Sequence, residues 1–175
     1  MIKPIEQKIV ASDMSWDEFF MRMVYLTSSK SKDPRTRIGA ILIKKGDVDP
    51  LSSGYNGFPR GVVDFECRYA DRNLKHKMIC HAEFNCIINA ARKGVGTIGT
   101  ILYTQAPVCH ECAKSIIQAG VREIVYHKQF PDMTQEWVES SILAKQMLNE
   151  AGVYVRCLDL ALGIKTLLSG EIVEV

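Results

Sequence analysis

The sequence predicts an α/β domain in which helices pack against one mixed β-sheet, and three observations lead there. Strand-like and helix-like segments alternate through the second half of the chain, the pattern of a layered α/β protein. Two strand-like segments before them are separated by only a few turn residues and should pair antiparallel, whereas later strands, joined by helices, should run parallel. The chain has 175 residues, 47% hydrophobic and 24% charged, an ordinary globular balance with room for a buried core. It carries no internal repeat, low-complexity tract or long linker, so residues 1–175 read as one domain, with 1–14 as an N-terminal extension and 159–175 as a C-terminal tail.

The elements follow in order. Ser15 followed by Glu18 has the form of a capping box and opens an apolar helical stretch over 16–28. The polar run 29–37, with Asp33-Pro34, ends it. A strand over 38–44, a turn at Lys45-Gly46-Asp47 and a returning strand over 51–55 make a hairpin. Glycine, proline and many charges make 56–77 loop or mixed structure. A helix is expected over 82–93, a strand over 100–103, and a helix over 111–119 stopped by Gly120. A strand over 123–126, a helix over 135–150 and a strand over 153–157 complete five strands, and 159–168 is expected to form a final short helix.

Composition also bounds function. A formal net charge of +2 is too small to argue for a nucleic-acid partner. No apolar run approaches the roughly 20 residues that cross a bilayer, and Met1 to Asp13 has no apolar signal core, so a cytoplasmic protein with no membrane partner is expected. With a cytoplasmic protein expected, its six cysteines are not expected to pair as disulfides and point to metal ligation, catalysis or burial. Only Cys109 and Cys112 stand at ligand spacing.

The chemistry concentrates at two helix starts. His81-Ala82-Glu83 opens one predicted helix, and Cys109-His110-Glu111-Cys112 opens another 28 residues on. His81, Cys109 and Cys112 are three borderline or soft donors suited to zinc. Cysteines three apart at a helix start can turn both sulfurs one way, where the helix dipole favours thiolate. Structural zinc sites close with four protein ligands; three ligands beside a carboxylate point instead to a catalytic site with room for water. Two thiolates cancel the ion's formal charge, so a general base is needed, and Glu83 is the candidate. It would take a proton from water, pass it to a ring nitrogen and later protonate departing ammonia. This H-x-E and C-x-x-C pairing, with a non-ligand Glu, is the zinc deaminase arrangement.

These residues resemble the cytidine deaminase superfamily and, within it, the deoxycytidylate deaminases. His81 to Asn85 looks like the family's HAE-x-N segment and Cys109 to Gly120 (CHECAKSIIQAG) like its second zinc segment. Ser31-Lys32-Asp33-Pro34 leading to Ile38-Gly39-Ala40, and Gly54 to Gly61 (GYNGFPRG), resemble its SKDP…VGA and GYNG-x-P-x-G stretches. The resemblance covers roughly residues 16–155. It implies a three-layer α/β/α fold with a mixed five-stranded sheet, zinc on His81, Cys109 and Cys112, Glu83 as proton shuttle, and Ile38 and Asn56 at the substrate. The implied reaction is hydrolysis of dCMP to dUMP and ammonia, supplying dUMP for thymidylate synthesis. It further implies a homohexamer activated by dCTP and inhibited by dTTP, with Mg²⁺ accompanying the triphosphate at Asn56, Gly57, Phe58 and Arg60, and Arg92 at a subunit contact.

Lys32, Arg35 and Arg37, with Lys128, are the candidate phosphate cations. Taken without the resemblance, Asn56-Gly57 reads as an ordinary turn, and each cation alone as a solvated charge. Departures from the family pattern are Val108, where proline precedes the first zinc cysteine; Phe130, near a substrate-side tyrosine; and Ile79, where a histidine for a second zinc would fall. No second zinc is expected, and Cys67, His76 and Cys80 read as unlinked. Cys86 and Cys157 read as buried apolar side chains. The alternatives are the same chemistry on dCTP or a 5-modified dCMP, and a non-catalytic zinc nucleotide-binding module, which would have no need of Glu83.

Overall fold

The protein is described by a computed structural model covering residues 12–128 and 134–175. Its elements are, in chain order, α1 (Trp16–Ser28), β1 (Gly39–Lys44), β2 (Pro50–Tyr55), α2 (Glu66–Ala70), α3 (Arg72–Met78), α4 (Ala82–Arg92), β3 (Thr100–Thr104), α5 (His110–Gln118), β4 (Glu123–His127), α6 (Gln135–Glu150), β5 (Tyr154–Leu158), β6 (Lys165–Leu168) and β7 (Glu171–Glu174). Helix α1 starts where Ser15 Oγ accepts the Glu18 N–H at 3.1 Å. The box is half made, because the Glu18 carboxylate turns to Arg22 at 2.8 Å.

Five strands form one sheet in the order β2-β1-β3-β4-β5. β1 runs antiparallel to both β2 and β3, while β3, β4 and β5 are parallel, as turn and helix connections require. Strand side chains alternate between two covered faces. Ala40, Leu42, Leu102 and Ile124 pack under α4, α5 and α6; Ile41, Ile43, Tyr103 and Val125 pack against α1 and the C-terminal segment. Burial on both sides explains the unbroken Ala-Ile-Leu-Ile run of β1. Each fully buried Ile or Leu of the sheet contributes about 2 kcal/mol.

Two glycines set how closely the helices approach. A Cβ on Gly39 would lie 2.2 Å from the Val24 carbonyl oxygen of α1, and one on Gly54 would lie 2.3 Å from the Cys86 amide of α4. Each helix backbone therefore rests directly on a strand, one on either face of the sheet.

Two sequence expectations need correction. Residues 159–168 do not form a helix: β6 and β7 pair antiparallel as a hairpin. Its turn residues, Ser169 (φ 54°) and Gly170 (φ 92°), both have the positive φ that a two-residue hairpin turn uses. Before it, Gly163 also takes a positive φ, and Leu162 and Ile164 bond to Val175 across the arm. Leu162 and Val175 are buried with the α1 face and Leu168 is buried beside the hairpin turn, so this segment closes one side of the core. Cys157, expected to be buried, is exposed, because β5 is an edge strand whose outer side has no covering strand. Cys86 is fully buried, and burial pushes its thiol up to about 12.

Candidate metal centre

His81 is the N-cap of α4, with an extended backbone and no capping bond from its ring, which leaves the imidazole free. Cys109 is the N-cap of α5, and its sulfur accepts the Cys112 N–H at 3.4 Å. An antiparallel bridge between Gly57 and Cys80 ties the chain leaving β2 to the residue before His81. The two helix starts thus meet at the ends of β2 and β3, the edge where ligands bind in open α/β sheets.

The His81 Nδ1 atom lies 3.3 Å from Cys109 Sγ and 3.5 Å from Cys112 Sγ, and the three donors fall within 4.8 Å of one another. A tetrahedral zinc ion with ordinary Zn–S and Zn–N bonds would hold sulfur and nitrogen about 3.6 Å apart, so the donors are spaced for that ion. Among the described residues this is the one group of His, Cys, Asp or Glu side chains able to hold a metal. Its charge state agrees. The thiol of Cys112, then His81, hydrogen-bond to Cys109 and push it down to about 4. Cys112 is pushed upward by that neighbouring sulfur, by burial and by Glu83. The bond to Cys109 and the Glu83 charge raise the His81 pKa against the effect of burial. Two thiolates crowded into one buried pocket repel each other, and a divalent cation relieves that repulsion.

Glu83 stands beside this group in the first turn of α4, only 4% exposed. Its Oε1 accepts the Thr104 hydroxyl at 2.8 Å, and its Oε2 lies 3.6 Å from Cys112 Sγ. The Trp137 ring sits 5.9 Å from the His81 ring, centroid to centroid. A buried carboxylate next to a three-donor metal group can move a proton to and from whatever the metal activates.

The family model for the cytidine and deoxycytidylate deaminase zinc-binding region matches residues 14–128. The chain belongs to that family. This deaminase is 33% identical to the human deoxycytidylate deaminase over 150 residues, 82% of this chain and 79% of the human one. It is 36% identical to an uncharacterized deaminase of Aliivibrio fischeri over 145 residues, 83% and 95% of the two chains. The dCMP deaminase of cyanophage S-TIM5, solved in complex with dCMP and dUMP, superposes with a TM-score of 0.63 at 27% identity, covering 81% of this chain and 95% of that one.

The deaminase places its other candidate residues unevenly around the centre. Asn56 is 7% exposed and its amide is engaged by backbone: Oδ1 accepts the Ile38 N–H at 2.9 Å and Nδ2 donates to the Thr36 carbonyl at 2.8 Å. Ile38, half-buried, is held in place by that bond. Lys32 pairs with Asp64 and Lys128 with Asp159, both in exposed ion pairs. Arg37 donates weakly to the Asp33 carbonyl, while the Arg35 side chain is exposed and has no ion-pair partner among the described residues. Phe130 lies outside the described residues. Gly57, Phe58, Arg60 and Arg92 line one surface groove, with Phe58 stacked on Tyr69 and Arg60 bonded to Asn89. Val108 is buried in the core beside Cys109, so valine in place of proline leaves the donor spacing intact. Cys67, His76 and Cys80 do not form a metal group.

Several residues that support the site carry no mark in the sequence. Lys75 is buried and pairs with Asp33 at 3.0 Å. Ser140 on α6 contacts both the backbone N–H and Nδ1 of His110, which lies between Cys109 and Cys112. Gln105 Oε1 accepts the Gly39 N–H at 2.6 Å. Neither Lys75 nor Ser140 lies in a motif; Thr104 ends β3 and Gln105 follows it, and only their place just before Cys109 marks them.

Proposed function

We propose that this deaminase hydrolyses dCMP to dUMP and ammonia, with His81, Cys109 and Cys112 holding zinc and Glu83 shuttling the protons. The observation that carries the reading is the buried Glu83 carboxylate within 3.6 Å of a sulfur of the three-donor group. Zinc bound there supplies Lewis-acid activation of a water molecule. Glu83 takes a proton from that water and gives it to the ring nitrogen, then takes the second proton from the hydroxyl now on the ring carbon and gives it to the amino group, which leaves as ammonia. The base lies near Ile38, whose backbone is set by Asn56. Arg35 and Arg37 are the cations left to meet the 5′-phosphate, since Lys32 and Lys128 already have partners. The human relative and the cyanophage enzyme solved with dCMP and dUMP support dCMP over other cytosine compounds.

The same reading includes regulation, a homohexamer, and dUMP supply to thymidylate synthesis. A groove of about 370 Å³ lined by Tyr55, Gly57, Phe58, Arg60 and Arg92 combines aromatic faces with two guanidinium groups. That combination suits a nucleoside triphosphate with Mg²⁺, dCTP as activator and dTTP as inhibitor.

The test is the loss of ultraviolet absorbance when zinc-loaded protein meets dCMP, dCTP, 5-methyl-dCMP or cytidine, with and without dCTP·Mg²⁺ or dTTP. Rapid loss with dCMP is expected, and about a thousandfold less with Glu83→Gln, which keeps its zinc. Turnover of a different nucleotide would keep the metal centre and move the substrate. Silence on all of them, with zinc bound, would favour a binding module.

A further inference from the structure

Strand β3 ends on Thr104, and alternation along the strand sends its side chain toward α4 while Tyr103 faces α1. Thr104 is fully buried, where a hydroxyl without a partner is costly. It has two acceptors in reach: Glu83 Oε1 at 2.8 Å and the Gly39 carbonyl at 3.4 Å. The shorter bond goes to the one carboxylate beside the metal donors.

We propose that Thr104 is the positioning residue of the proton shuttle, holding Glu83 Oε1 so that Oε2 is the oxygen presented to the metal donors. This rests on the reading of Glu83 as the shuttle. The last torsion of a glutamate is broad and nearly two-fold, so helix geometry alone leaves the carboxylate plane free to turn. The Thr104 hydroxyl removes that freedom from one side, and Oε2 then lies 3.6 Å from Cys112 Sγ. The hydroxyl donates to Oε1 while Glu83 is a carboxylate. The proton taken from water goes to Oε2, so Oε1 goes on accepting the same hydroxyl. Both stages then proceed with the heavy atoms in place. Gly39 is itself fixed by Gln105 Oε1, which accepts its N–H at 2.6 Å, so the second acceptor is held firmly.

The test compares zinc-loaded wild type, Thr104→Val and Thr104→Ser as full chains, in dCMP turnover, zinc content and crystal structures. Valine keeps the shape and removes the hydroxyl; serine keeps the hydroxyl. For Thr104→Val we expect full zinc occupancy, KM within about twofold and kcat lowered about tenfold, with serine restoring kcat to within about threefold. In its crystal structure the Glu83 carboxylate should turn or split between two orientations. A Thr104→Val enzyme with wild-type kcat, or with the carboxylate unmoved, would overturn the proposal. Equal losses in the valine and serine variants would also overturn it, by marking the site as one of packing. A wild type silent on dCMP would count against the proposed reaction, while the carboxylate orientation in the crystals would still decide the role of Thr104.

Discussion

His81, Cys109 and Cys112 stand on the first residues of two helices, whereas the loop from Ser31 to Ile38 has no regular backbone and is held by residues distant in the chain. The metal donors need only the local geometry of a helix start and the packing of α4 beside α5. The loop is pinned from three directions. Lys75 of α3 reaches Asp33, whose other carboxylate oxygen accepts the Arg35 and Thr36 N–H groups. Asn56 bonds Thr36 and Ile38. The C-terminal hairpin bonds Arg35, Thr36 and Arg37 through Gly170, Ser169 and Leu167. The lesson is that the candidate metal group sits on elements with their own backbone order, while this loop borrows its order from tertiary contacts.

This contrast sets an order of expected effects. Replacing a metal donor should be the most damaging: Cys112→Ser is expected to lose stoichiometric zinc and more than about a thousandfold in turnover, as measured by metal analysis and the absorbance assay. A variant that kept both would show that the helix starts do not carry the centre. Next comes the buried pair. Lys75→Met leaves the Asp33 carboxylate buried and unpaired and should cost about 3 kcal/mol in denaturant unfolding, with part recovered in Lys75→Met/Asp33→Asn. Full stability in the single variant would break the picture of a pinned loop.

Asn56→Ala removes two bonds to the loop and should cost about 2 kcal/mol of stability while raising KM and sparing zinc content. Loss of zinc instead would mean that loop and centre are not separately held. The smallest effect is expected far from both regions, at Arg156. Its hydrogen bonds, more than that of Tyr103, hold the Asp17 pKa below the ordinary 3.8 despite burial. A carboxylate depressed in the folded state stabilises above its unfolded pKa and ceases to do so as pH falls through the folded value. Arg156→Met should therefore lower Tm at neutral pH by an amount worth roughly 0.5 kcal/mol, since the pair is part-exposed, and the gap should close progressively below pH 3.8.

Much of the architecture was legible because it is local. The helix over 135–150 and that over 16–28 agree residue for residue, since caps and apolar period lie within a few positions of each other. The C-terminal hairpin is not legible locally, because Leu-Ala-Leu-Gly-Ile reads as a helix when its packing partners are unknown. The Ser169-Gly170 pair, a turn signal between two alternating runs, is the local sign of it. Cys157 reads as buried because edge and central strands have the same pattern until the strand order is known.

The sequence by itself determined the order of the first five strands and of the helices at 16–28, 82–92, 110–118 and 135–150, and it marked His81, Cys109, Cys112 and Glu83 as candidates, because caps, apolar period and motif spacing are local. Only the tertiary structure decided that Thr104 meets Glu83, that Lys75 meets Asp33, and that Asn56 spends its amide on the loop backbone. Those contacts join residues 18 to 42 positions apart, and no local period records them. They arise when the sheet and helices close over one another and each buried polar group must find a partner.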